Sequence, residues 1–187
     1  MKNYRILSIT ALIIVLDQVT KLLVKNSMHL YQSIPILGDL LRLTYIENTG
    51  MAFGIQFGEN AFFTIFAIIA SLLILFYLFT MKGEHFLARL AVAMILGGAI
   101  GNLTDRIIRG GVVDFIDGEF FDIRIPAFKV LFINFPGYSM DRWPVYNVAD
   151  IAVTLGMVLL FIFIFLEDTK KKKAETVNDL QQEEMIR

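Results

Sequence analysis

Four stretches of this chain, 6–24, 61–81, 86–108 and 145–166, are apolar over the length needed to cross a bilayer, and no other feature restricts the fold as much. A hydrocarbon core about 30 Å thick needs roughly 20 residues of helix. Lipid offers a backbone amide no partner, so each crossing segment must satisfy its own hydrogen bonds. With 56% hydrophobic and 19% charged residues among 187, an ordinary soluble domain is excluded. The first run follows Lys2 and Arg5 and could pass for a secretory signal. Yet Asp17-Gln18-Val19-Thr20-Lys21 stands where small cleavage-site residues belong, and the apolar pattern resumes to Val24. It therefore reads as an uncleaved span.

The expected fold class is an all-α integral membrane protein with four transmembrane helices and a small strand-rich extracytoplasmic element. Residues 1–169 form the membrane domain and 170–187 a polar cytoplasmic tail. Four spans put both termini on one side. Lys2, Arg5, Lys82, Arg89 and the lysines at 170–173 argue that this side is the cytoplasm. Lys82-Gly83-Glu84-His85 is a short connection, so the third span returns antiparallel to the second. Between the spans, 41–47 partly alternates and predicts a strand, and Asn48-Thr49-Gly50 predicts a turn. Strands are also expected at 121–125 and 130–135, with Pro126 and Pro136-Gly137 as breakers. Trp143-Pro144 supplies an interfacial aromatic and a proline to start the last helix.

Several function classes fall away. The chain has no cysteine, hence no disulfide, no thiolate nucleophile and no cysteine-linked lipid of its own. His29 and His85 lie far apart and form no His-Glu-x-x-His helix, so neither a metal nor another cofactor is expected. A net charge of −1 leaves no footprint for nucleic acid.

What remains is a set of polar groups at membrane depth, which by default mark a functional site. At ~1.5 Å per residue, Asp17 and Lys21 lie about 17 and 23 Å along the first span, and Asn102 and Arg106 about 24 and 30 Å along the third. Asn147 and Asp150 lie within roughly 8 Å of the outer end of the descending fourth. Asn48 and Asp114 come from segments on that same side. Asp17 and Lys21, four apart, share a face and can pair. Asp105 could cap, pair with an arginine or bind substrate. Asp114, in Val113-Asp114-Phe115, and Asp150 form the best chemical pair. Two carboxyl groups close together in a low-dielectric site cannot both ionise. One can then activate water while the other donates a proton, which is aspartic peptide hydrolysis. Spacing alone does not bring them together. A proton- or ion-coupled transporter and a non-enzymatic assembly factor with a polar packing belt are the competing readings, although no internal repeat suggests a transporter.

Asp17-Gln18-Val19-Thr20-Lys21, Asn48-Thr49-Gly50-Met51-Ala52-Phe53, Gly97-Gly98-Ala99-Ile100-Gly101-Asn102-Leu103-Thr104-Asp105-Arg106, Val112-Val113-Asp114-Phe115 and Tyr146-Asn147-Val148-Ala149-Asp150 occur in that order. In this the chain resembles the lipoprotein signal peptidases (signal peptidase II). The resemblance covers all but the tail. It implies an aspartic endopeptidase of the bacterial cytoplasmic (inner) membrane that removes the signal peptide of prolipoproteins just before a diacylglyceryl-modified cysteine. Asp114 and Asp150 would be catalytic and Asn102 and Asn147 would flank them. Asn48 and Arg106 would contact substrate or a globomycin-type peptide inhibitor. Asp17, Lys21 and Asp105 would support the site, and membrane lipids would surround it. Two departures stand out. The segment 118–142 is longer than in compact members of the family, and Tyr146 replaces a more usual phenylalanine.

Overall fold

The computed structural model describes residues 3–49, 51–52, 55–56, 60–81 and 85–186. Gly50, Phe53, and 82–84 of the short connection lie outside them. Four helices are long and apolar enough to cross a membrane: α1 (Asn3–Ser27), α2 (Asn60–Thr80), α3 (Phe86–Arg109) and the first part of α4 (Val148–Ile186). All four expected spans are therefore present as helices. In α4 the helical backbone continues through the polar tail to Ile186, and no glycine or proline occurs after Gly156 to stop it.

Helix α3 is the centre of the bundle. Half of its apolar window is buried, against 11–22% for the other three, and it packs on α1, α2 and α4. Its glycines explain the close approach. A Cβ on Gly98 would collide with the carbonyl oxygen of Ala149 on α4, and one on Gly101 would lie 2.7 Å from Asp17 Oδ2 on α1. Gly156 answers from α4, where a Cβ would meet Ala91 O at 2.8 Å.

Strand content exceeds what the sequence suggests. β1 (Ser33–Leu37), β2 (Leu41–Asn48) and β5 (Val112–Gly118) form an antiparallel sheet in the order β1-β2-β5, while β3 (Met51–Ala52) pairs with β4 (Ile55–Gln56). In the segment 118–142, β6 (Ile123–Ile125) pairs with β9 (Tyr138–Met140), and β7 (Phe128–Val130) with β8 (Ile133–Phe135). The expected strand at 130–135 is corrected. Leu131 and Phe132 make the turn between β7 and β8, and Leu131 takes a positive φ of 53°. A turn built from large apolar residues carries no Gly or Asn signal, so it reads as strand.

Two apolar clusters sandwich a polar layer. Ile6, Leu78, Val92 and Leu96 belong to one, and Val24, Tyr45, Val113 and Phe115, under the sheet, to the other. Between them on α1 lie Asp17 and Lys21, both fully buried. Lys21 Nζ has three hydrogens and three acceptors: Asp17 Oδ2, Asp105 Oδ2 and Asn102 Oδ1, each at 2.9 Å. Arg109 pairs with the remaining Asp105 oxygen, so two cations balance two carboxylates. The carboxylates also hold backbone from elsewhere. Asp17 Oδ1 accepts from Ala149 N at 3.0 Å, and Asp105 Oδ2 from Val113 N at 3.1 Å. One ion cluster thus ties α1, α3, α4 and β5 together.

Two outcomes follow. Gly98→Ala must push α4 outward and is expected to cost about 1–3 kcal/mol, measurable by denaturant unfolding in detergent. Lys21→Met leaves two buried carboxylates short of a cation and is expected to cost about 3–5 kcal/mol in the same measurement. An unchanged unfolding midpoint for Lys21→Met would show that the cluster does not hold the bundle.

Candidate active site

Asp114 and Asp150 reach the same place by different local devices. Helix α3 ends at Gly110, whose φ of 76° is open to glycine without strain, and whose N–H donates to Arg106 O at 3.2 Å. The chain reverses there into β5, which pairs along β2 with Ile46 opposite Asp114 and Asn48 opposite Val112. Asp114 is buried at 3% exposure.

Asp150 comes from the other side, and here the expected start of the last helix at 145 is corrected. Tyr146 continues the sheet instead, exchanging hydrogen bonds with Ile116 at 2.7 and 2.9 Å. Helix α4 begins only after Asn147. Asn147 Oδ1 accepts from Asp150 N at 3.0 Å, and Asp150 Oδ2 accepts from Asn147 N at 3.1 Å. This is a reciprocal capping box, with Asp150 in the first turn rather than well inside the helix. The carboxylate's position is thereby set by its own helix terminus.

Two asparagine amides join the carboxyl groups. Asn102 uses its oxygen to accept from Lys21 and, at 3.1 Å, from Asn147 Nδ2. That orients its Nδ2 toward Asp150 Oδ1, to which it donates at 2.8 Å. Asn147 Nδ2 donates to Asp114 Oδ1 at 2.6 Å, and Asn48 Nδ2 to Asp114 Oδ2 at 3.3 Å. Burial, and then the negative charge of Asp150, push the Asp114 carboxyl up to about 7, against the pull of the donors Asn147 and Asn48. The pair can therefore carry one proton at neutral pH. A group that donates and a group that accepts stand side by side.

The other sequence candidates take distinct places. Asn48, Asn102 and Asn147 touch the carboxyl pair. Arg106 is half-buried; its Nη1 lies 3.4 Å from Asn102 O, and the charges of Asp150 and Asp114 act on it. Asp17, Lys21 and Asp105 make no hydrogen bond to the pair: Lys21 donates to Asn102, and Asp17 and Asp105 accept from the backbone of Ala149 and Val113. Of the roles left open for Asp105, the structure gives it pairing, with Lys21 and Arg109. Sequence reasoning assigned no role to Gln18, whose Nε2 bridges Asp17 Oδ2, Gly101 O and Asp105 Oδ1 at 3.0–3.2 Å while its Oε1 accepts from Arg109. The spacing of Arg109, four after Asp105, was a usable signal. For Gln18 there was none beyond its neighbours.

A groove of about 480 Å³ borders Asn48, and neither Asp114 nor Asp150 is among its lining residues. Ile46, Asn48 and Thr49 form one wall, and Tyr138 and Met140 of β9 the other. Asn48 belongs to both the groove and the carboxyl cluster. Arg142 fastens the β9 side to the sheet, donating to Asp117 Oδ1 at 2.5 Å and Glu119 Oε2 at 2.7 Å.

The family model described as signal peptidase (SPase) II matches residues 9–166. The lipoprotein signal peptidase of Bacillus subtilis is 38% identical over 169 residues, covering 89% of this chain and 97% of that one. That of Halothermothrix orenii is 34% identical over 160 residues, covering 86% and 94%. A bacterial membrane enzyme solved by the in meso method at 2.3 Å resolution superposes with a TM-score of 0.66 at 28% identity, covering 90% of this chain and 91% of that one. A pair of aspartates, one buried and one half-buried, on a four-helix membrane frame and sequence similarity over most of the chain agree: the chain belongs to the signal peptidase II family of membrane peptidases.

Proposed function

We propose that this peptidase cleaves prolipoproteins on the N-terminal side of a diacylglyceryl-modified cysteine, with Asp114 and Asp150 as its catalytic carboxyl groups. One observation carries the reading. Two aspartates from separate elements converge through Asn102 and Asn147. Asp150 takes a proton from water as the water oxygen bonds to the scissile carbonyl carbon, while protonated Asp114 donates to the carbonyl oxygen. On collapse the C–N bond breaks. Asp150 returns its proton to the departing cysteine nitrogen, and the gem-diol hydroxyl returns one to Asp114. Both groups end as they began.

The remaining residues position the substrate. Asn48, from the sheet, and Arg106, from α3, face the reacting centre and supply N–H donors for the carbonyls on either side of the scissile bond. The ion cluster of Asp17, Lys21 and Asp105 holds Asn102 at its back. With both termini in the cytoplasm, as the basic residues flanking the spans favour, the site would sit near the outer leaflet of the bacterial inner membrane, where a lipid-linked cysteine can approach sideways. A globomycin-type peptide would compete in the same groove.

Purified protein should cleave a diacylglyceryl-modified precursor and leave its unlipidated control intact. Asp114→Asn and Asp150→Asn are each expected to lower turnover by about 10²–10⁴-fold with helical content retained. Wild-type turnover in either variant would remove the assignment.

The proton on Asp114 makes a second, independent expectation. Turnover should fall as pH rises through about 7, because the donor is lost. Stability moves the same way. The unfolded carboxyl titrates near 3.8 and the folded one near 7, so between these values the native state binds more protons and loses stability as pH rises. Asp114→Asn has no proton to lose. Its thermal midpoint in detergent should lack the decline that the wild type shows between about pH 4 and 7.

A further inference from the structure

The four short strands β6 to β9 are one ribbon. Ile123↔Met140, Ile125↔Tyr138, Phe128↔Phe135 and Val130↔Ile133 keep a single antiparallel register past Pro126 and Pro136-Gly137. Prolines cannot donate to the ladder, so the pairing is interrupted there without being shifted. At the far end the turn is Leu131-Phe132, and these side chains are 81% and 95% exposed. A short hairpin turn ordinarily uses Gly, Asn or Asp, since positive φ is unfavourable for a branched apolar side chain. Here the sequence accepts a leucine at φ 53° and presents two large apolar groups.

The tip is also two-sided. Alternation puts the Phe128–Phe135 and Val130–Ile133 pairs on one face and Lys129–Asn134 on the other. The two phenylalanine rings stack at 4.7 Å with 12° between their planes, yet both stay exposed. Six apolar side chains therefore form a continuous surface, and a single cation lies on the opposite side. A contiguous patch of this kind marks a membrane or protein interaction site.

The foot of the ribbon indicates which. Trp143 is packed edge-on by Phe121 at 5.1 Å and Phe120 at 6.0 Å, five residues before helix α4 begins. An aromatic cluster at the outer end of a span occupies the lipid–water boundary. A ribbon that starts beside such a cluster starts near the bilayer surface, next to helix α4, whose apolar side chains are exposed on the outside of the bundle. Extending it along that surface makes the apolar tip continuous with the lipid-facing side of the bundle, while Lys129 remains among the headgroup phosphates.

We propose that the β7–β8 tip is a lipid anchor that inserts Leu131, Phe132 and the face around Phe128 and Phe135 into the adjacent leaflet. Anchored at its tip and clamped at its foot by Arg142, the ribbon holds Tyr138 and Met140, one wall of the groove, at a set height opposite Asn48. The inference does not depend on the catalytic assignment.

The chain has one tryptophan, which makes the test direct. Trp143→Phe combined with Phe132→Trp places the sole indole at the tip, and helical content measured by circular dichroism establishes that the variant is folded. The protein is reconstituted in phosphatidylcholine vesicles with or without bromine on the acyl chains. Anchoring predicts blue-shifted emission, strong quenching by the brominated lipid, and little quenching by aqueous acrylamide. Acrylamide quenching with no effect of bromine would overturn the proposal and leave the tip in water. Blue-shifted emission with no effect of either quencher would also overturn it, in favour of contact with protein.

Discussion

A lysine ammonium with no access to water organises this structure. Moving such a charge out of water costs several kcal/mol unless every proton finds an acceptor. Lys21 meets that condition with Asp17, Asp105 and Asn102, and no single helix could supply all three. The requirement therefore acts across the bundle. Sliding α1 against α3 by one residue would strand the ammonium and two carboxylates together. The same carboxylates extend the constraint to the backbone of Ala149, through Asp17 Oδ1, and of Val113, through the Asp105 Oδ2 that also meets Lys21. Those two residues are the immediate neighbours of Asp150 and Asp114, so the buried cluster places both aspartates without a hydrogen bond to either.

The helix contacts reinforce this placement. Gly98 and Gly101 remove the side chains that would separate α3 from α4 and α1, and the short approach brings Asn102 within reach of both Lys21 and Asp150. Asp150 serves two purposes with its two oxygens. Oδ2 caps the helix through Asn147 N, while Oδ1 takes the Asn102 amide. The cap makes the carboxylate's position a local property of the sequence Asn147-Val148-Ala149-Asp150. The sheet does the same for Asp114. Stability and chemistry thus draw on the same hydrogen bonds.

The spans were legible because lipid imposes a coarse rule that any apolar run of sufficient length satisfies. The Asp17–Lys21 pair was legible too, since a spacing of four is a helical fact. Errors fell where a residue answers to tertiary surroundings instead of local preference. Pro144 suggests a helix start at 145, yet Tyr146 is recruited as a sheet partner for Ile116 and delays it to Val148. The run from Val130 to Phe135 is apolar throughout, and only the pairing of Val130 with Ile133 reveals the turn inside it. Gln18 carried no distinctive pattern, because its role arises from three acceptors that belong to two other positions on α3 and one on α1.

The sequence by itself determined that this is a four-span membrane protein, and its ordered motifs picked out the polar residues that the fold gathers at one level. Both are local quantities, hydrophobic length and residue identity, and need no knowledge of the rest of the chain. Tertiary structure alone decided that Asp114 and Asp150 share one site, that Asn102 and Asn147 connect them, and that Asp105 belongs to the buried support behind them. Carboxyl groups 36 positions apart in sequence (150 − 114) become neighbours only because a dehydrated ammonium, close glycine contacts and a capped helix terminus leave the elements no other arrangement.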